Sequence, residues 1–190
     1  SSLDVPEPTR ATASSQTKDI SMAESEFTGA HLANLQSLQY KTPYMARILQ
    51  ERAKLSDPFH RHLLAISYRQ AVAYDQVLST HGGNPSGIEF RSTARQAWAF
   101  VLPDASSTGK HRIQYFDANG FLSHASYPSV PAAVEEMVRE GYRIADPGAL
   151  DRLSTTDAWR RGAEAAALLM DHNAGRISFQ QFIDFRNAIS

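Results

Sequence analysis

A chain of 190 residues and 21.0 kDa, 42% hydrophobic and 21% charged, has room for one domain plus a tail, or for two very small domains. It contains no cysteine, which excludes disulfides, thiolate nucleophiles and zinc–thiolate sites together. A formal net charge of −1 is low for a domain built mainly to grip nucleic acid, and no apolar run reaches the ~18 residues of a membrane span.

Charge is nonetheless segregated along the chain. Residues 1–40 carry −3, residues 41–113 carry +5 and residues 114–190 carry −3. The basic middle third could face phosphate or an acidic partner, or be a solvated mixture of charges.

Residues 1–26 are poor in apolar side chains and rich in Ser, Thr, Pro and Glu. Such a segment buries too little surface to offset its ordering entropy, so it reads as an extended or disordered arm that a partner's surface would order. The chain starts Ser-Ser and is rich there in Ser, Thr and Ala, as a mature protein is after loss of an import sequence. The expected location is mitochondrial, with cytoplasmic as the alternative. Residues 27–190 read as a single α+β domain, helical over 27–83, sheet and helix over 95–142, and helical again over 149–190.

In chain order, Leu32, Leu35 and Leu38 suggest a first helix capped by Thr28. Thr42-Pro43 and Ser56-Asp57-Pro58 are two further start signals, because Thr or Ser caps a helix and Pro suits its first turn. The second of these helices carries Phe59, Leu63, Ile66, Ala73 and Val77 on one face and ends at Gly82-Gly83. Helices joined so closely should pack as an antiparallel hairpin. The glycine-rich run from His81 to Gly87 lacks the preceding strand and the lysine of a phosphate cradle, so it reads as a linker.

Arg95–Tyr142 organises the rest. Ala97–Leu102 is apolar on both faces and predicts a strand covered on both sides. In the second strand Ile113 and Tyr115 face one way, while Arg112, Gln114 and Phe116 face the other. Asn119-Gly120 supplies positive φ angles for a tight turn into a third strand, FLSHASYP, whose polar alternation marks an edge. Pro131 opens an amphipathic helix lined by Val130, Val134, Met137 and Val138, closed by Gly141. Asp146-Pro147-Gly148 is a turn and Ala149–Leu153 one helical turn. Thr155 or Thr156 caps a helix carrying Trp159, Ala166, Leu169 and Met170. Ser178 and Gln181 form a capping box for a last helix that buries Phe179, Phe182, Ile183 and Ile189. The fold class is therefore α+β, with a helical hairpin, a three-stranded antiparallel sheet backed by helices, and a C-terminal helix–loop–helix.

The tail MDHNAGRISFQQFIDF resembles an EF-hand over residues 157–189. Gly175, Ile177, Gln181 and Phe182 occupy the spacing of that family's glycine, isoleucine and terminal Glu-Phe. In that register the first three ligand positions fall on Met170, His172 and Ala174, while Asp171 and Asn173 are displaced by one and Gln181 replaces the bidentate Glu. Calcium takes about six to eight oxygens, several from carboxylates, so the resemblance implies a degenerate helix–loop–helix without metal. FDANGFL aligns in a similar way through Asp117, Asn119, Gly120 and Leu122, but Ser126 stands where Glu is needed and the hairpin reading is kept.

His60 and His62 are two apart and point to different sides of a helix, so they cannot chelate one ion. His111 and His124 sit on different strands and are candidates to face each other across the hairpin. No serine lies in a nucleophile-elbow pattern, and Glu135, Glu136 and Glu140 read as solvated helix carboxylates. The helix–strand–strand–strand–helix order is similar to that of double-stranded-RNA-binding domains, which need lysines at the start of the second helix. Here that helix begins Pro131-Ala132-Ala133-Val134-Glu135-Glu136. No catalytic, cofactor-binding or metal residue is singled out. The chain reads as a soluble, non-enzymatic accessory or scaffolding subunit of a multi-subunit complex, such as a respiratory complex, ATP synthase or ribosome. It would dock on other protein subunits through its N-terminal arm. A nucleic-acid-associated module is the alternative, and a small enzyme with residues converging from separate segments a third.

Overall fold

The computed structural model describes residues 27–42 and 58–189, with side chains from Arg61 onward in the second stretch. The N-terminal arm and the helix expected from Pro43 lie outside the described residues, and with them the expected antiparallel hairpin. The chain divides into two compact units, one ending at Val72 and one beginning at Ala73.

In the first unit, α1 (Gly29–Ser37) is capped as expected by Thr28, whose hydroxyl accepts the His31 amide while the His31 ring accepts the Thr28 amide. Leu35 is its buried leucine. It packs with Ala71 of α2 (Pro58–Thr80), flanked by Phe27, Leu38 and Tyr68. The Asn34 amide donates to the Tyr68 hydroxyl at 2.5 Å, which fixes the register of the two helices.

Among its described side chains, the buried residues of α2 are Leu64, Ala65, Ala71, Tyr74, Val77 and Leu78. Of the face read from the sequence, Val77 is buried as expected and the side chain of Phe59 lies outside the described residues, while Leu63, Ile66 and Ala73 need correction. These three are only half-buried, because the helix is apolar around much of its girth and periodicity alone does not pick a side. Gly82 and Gly83 follow with φ of 60° and 85°, ending the helix as expected.

The second unit is built on an antiparallel sheet of five strands, two more than the sequence suggested. They are β1 (Phe90–Ser92), β2 (Ala97–Pro103), β3 (His111–Asp117), β4 (Gly120–Tyr127) and β5 (Tyr142–Ala145), in the spatial order β4-β3-β2-β1-β5. The two additional strands have three and four residues, too short to show a period-2 pattern.

β2 is covered on both faces, as its apolar run requires. On one side lies α3 (Val130–Arg139), capped by Ser129, which buries Ala133, Val134, Met137 and Val138 and lies across β2, β3, β4 and β5. On the other side Trp98 and Phe116 pack with Ala149 and Leu153 of α4 (Ala149–Ser154) and with Trp159 of α5 (Asp157–Asn173). The chain closes with α6 (Phe179–Ile189).

The β3–β4 turn departs from expectation. Among the described residues none other than glycine has positive φ, so Asn119 does not take a left-handed conformation. Asp117 pairs with Gly120, and the Asp117 carboxylate accepts the Asn119 amide at 2.7 Å. Gly120, at φ 126°, absorbs the strain instead, and the register then slips beside Phe116 as a bulge.

Candidate protein-interaction surface

The side chains that gather chemistry in the sequence of the sheet do not converge. Trp98 lies on the α4 side, with its indole N–H donating to Asp146 at 2.8 Å. Tyr115 lies on the α3 side against Tyr142, ring centroids 5.4 Å apart. Burial of its ring, followed by hydrogen bonding to Glu140, pushes the Tyr115 hydroxyl well above the ordinary tyrosine value. His111 sits opposite Tyr127 and His124 opposite Gln114. The two histidines therefore do not face each other, since the register separates them onto different sheet faces. His62 is exposed on α2. Among the described residues no three His, Asp or Glu side chains form a group that could hold a metal ion.

Three carboxylates that no sequence motif marks are structural. Asp146 accepts from Trp98 and, at 2.7 Å, from Arg152, and these bonds hold its carboxyl below the ordinary aspartate value. Glu89 reaches from the start of β1 to the amides of Gly148 and Leu150, at 3.1 and 3.3 Å, and so caps α4 from outside. Asp104 accepts from the hydroxyls of Ser126 and Ser106 and from the Ser106 amide. A turn signal at Asp146-Pro147-Gly148 is visible in the sequence, but its tertiary partners are not.

Two cavities lie within this second unit. One, of about 420 Å³, is walled by Val77, His81, Phe90 and Ile144. His81 already places Nδ1 within 2.8 Å of the Val77 carbonyl. The other, of about 280 Å³, lies beside Asn119 with Arg161, Gly162 and Arg186 on its wall. Neither gathers a nucleophile and a base.

The feature with the clearest capacity for recognition is the α5–α6 hairpin. Its first half is tied to the sheet. Trp159 meets Phe116 and Phe121 edge-on at 6.1 and 5.3 Å, and Gly162 lies so close to the Asn119 carbonyl that any side chain there would overlap it. Thr156 caps α5, accepting the Trp159 amide at 3.2 Å.

Beyond that anchor the helices are thinly covered. No residue of α5 or α6 is buried. Leu169 is 47% exposed, Met170 67%, Phe179 64% and Phe185 47%. The expected burial of Phe179, Phe182, Ile183 and Ile189 is thus corrected: Phe182, Ile183 and Ile189 are half-covered and Phe179 is open to solvent. Two helices alone cannot close a core around both of their apolar stripes.

The polar groups at the inter-helix loop are engaged within the hairpin. Arg176 forms an ion pair with Asp171 at 2.6 Å. His172 stacks on Phe182, with centroids 5.5 Å apart, and its Nδ1 is 3.3 Å from the Ile177 carbonyl. The capping box read from the sequence is present: the Gln181 side chain accepts the Ser178 amide at 2.9 Å, and Ser178 accepts the Gln181 amide at 3.2 Å. The side chains nearest to calcium-ligand positions are thereby used to close the loop.

Several arginines are likewise paired locally. Arg139 meets Glu136, Arg152 meets Asp146, and Arg160 meets both Asp157 and Glu164. No helix among the described residues is long and apolar enough to cross a membrane. No protein-family model matches this chain, and neither does any curated protein or solved structure.

Proposed function

We propose that the protein is a non-enzymatic accessory or scaffolding subunit of a multi-protein assembly, and that the α5–α6 hairpin is its docking surface. The observation that carries this reading is the exposure of Leu169, Met170, Phe179 and Phe185 on two helices that bury no residue of their own. Apolar side chains left open in this way mark interaction sites, and paired helices with Met and Phe on display suit an amphipathic helix laid against them. The partner we infer is such a helix, presented by another subunit. Its fit is favoured by polar groups that are already engaged within the hairpin: Arg176 pairs with Asp171, and the Gln180 amide donates to Asp184. In this reading the hairpin acts through apolar contact rather than through a bound cation, and residues 1–26 add contact area elsewhere.

The test is size fractionation of native extract containing the tagged chain, with crosslinking to locate its contacts. The wild type should run in a discrete complex well above 21.0 kDa, crosslinked through α5 and α6 to a helical segment of another protein. The double substitution Met170→Glu, Phe179→Glu should release the chain while leaving its near-ultraviolet circular dichroism intact. Identical elution of both proteins as the free chain would end this reading.

A further inference from the structure

The sheet's two edges are treated differently by the sequence. β5 is short, at four residues, carries Arg143, and pairs with β1 through an interrupted register between Arg91 and Ser92. Shortness, a charge and a bulge are the usual devices by which an edge avoids pairing with a foreign strand. β4 has eight residues, more than any other strand, and stands at the opposite edge. Its sequence GFLSHASY contains no Lys, Arg, Asp, Glu or Pro. Its bulge lies at the turn end beside Phe116 and Phe121, so Ser123–Tyr127 keep an uninterrupted register with β3. Phe121 and Leu122 are 57% and 52% exposed on this same strand.

From this contrast we infer that β4 is a self-association strand, pairing antiparallel with β4 of a second copy to give a continuous ten-stranded sheet, twice the five of one chain. A two-fold axis normal to the sheet through the Ser123–His124 region sets each strand against its own mate. One symmetric contact then pairs the two outer rows of backbone N–H and C=O groups, which have no strand beside them among the described residues. An uncharged strand meets itself without the like-charge penalty that Lys or Glu would impose, so the occupant that suits it best is its own copy. The same rotation keeps α3 of both copies on one face, and α4 of both on the other together with α5, whose Trp159 packs on Phe121 of β4. The apolar surface of Phe121 and Leu122 lies beside the new seam, where the mate's side chains cover it. This inference is independent of the hairpin's role.

Sedimentation velocity on the full chain across the micromolar range tests it, together with amide hydrogen exchange at the two ends of that range. The expected result is a monomer–dimer equilibrium, with protection of the Phe121–Tyr127 amides rising with concentration. Ser123→Lys and Leu122→Lys, both at exposed positions, should each weaken the dimer about fivefold or more by placing like charges across the seam. Met170→Glu should leave it unchanged. Three results would overturn the inference: a monomer at every concentration, a dimer dissolved by Met170→Glu but not by the lysine variants, or β4 protection that is independent of concentration and so due to the chain's own segments. Should neither lysine variant fold, the exchange measurement on the wild type decides.

Discussion

Two individual residues bear constraints that their types alone do not reveal. Gly162 lies mid-helix, where glycine ordinarily costs stability relative to alanine. It is kept there by the Asn119 carbonyl, which leaves no room for a Cβ. Gly162→Ala should therefore destabilise the protein by about 1–3 kcal/mol, the scale of overpacking, lowering the urea midpoint without changing the slope. Gly29, on α1 with open space out to 4 Å around the position a Cβ would take, provides the control: Gly29→Ala should be neutral or stabilising by up to about 1 kcal/mol. Asp104 makes a pH argument. Hydrogen bonds from Ser126, then Ser106, hold its carboxyl down at about 2 in the folded chain. A depressed folded pKa contributes stability that is full above the unfolded value of 3.8 and lost as pH falls through about 2. Thermal melts between those limits should show Asp104→Asn losing less stability than the wild type over the same descent. An equal loss would mean that the Ser126 and Ser106 bonds do not favour the ionised form.

At the scale of elements, local signals were legible and tertiary ones were not. Thr28, Thr156 and the Ser178–Gln181 box were readable as caps because a cap is a short-range contact between a side chain and an amide a few residues on. The two faces of β3 followed from alternation alone, and the edge position of β4 from its polar residues. β1 and β5 were not legible because each is defined by the strand beside it rather than by its own pattern. The inner face of α2 was placed only in part, with Val77 buried but Leu63, Ile66 and Ala73 half-buried, because apolar residues occupy more than one side of it. The candidate surface was misread for a related reason: Phe179, Phe182, Ile183 and Ile189 have the spacing of a buried stripe, and spacing cannot say whether a covering layer exists. α4 is a further case, since its N-terminal cap is Glu89, about sixty residues upstream. Glu89→Ala should leave the Gly148 and Leu150 amides without their acceptor and cost about 1–3 kcal/mol in chemical denaturation. Glu89→Gln, which keeps one acceptor oxygen, should cost less. Equal, negligible costs would show that solvent replaces the carboxylate at that helix end.

At the scale of the whole molecule, the distribution of burial predicts unequal stability along the chain. Ala99, Ile113 and Phe116 on the central strands are fully buried, as are Ala133, Val134, Met137 and Tyr142 around them. Uncovering these residues requires separating α3 from the sheet or, for Phe116, lifting α4 and α5 from its other face, so their amides should exchange only through global unfolding. α6 has no buried residue, and its apolar contacts are the half-covered Phe182, Ile183 and Ile189 together with the His172 ring. Its amides should exchange through a local opening of lower free energy, leaving β2 and β3 protected. The first half of α5, fixed by Trp159 and Gly162, should fall between these limits. Native-state hydrogen exchange in increasing urea reads this directly: β2 and β3 amides should converge on the global isotherm, while α6 amides remain on a lower, flatter one. Because a ligand that binds only the folded form stabilises it in proportion to its affinity, a docked partner helix should lift the α6 isotherm towards that of the sheet. A helix α6 that already exchanges with the sheet in the isolated chain would mean that its apolar face is covered within the chain, and the hairpin would then have no unmet demand for a partner.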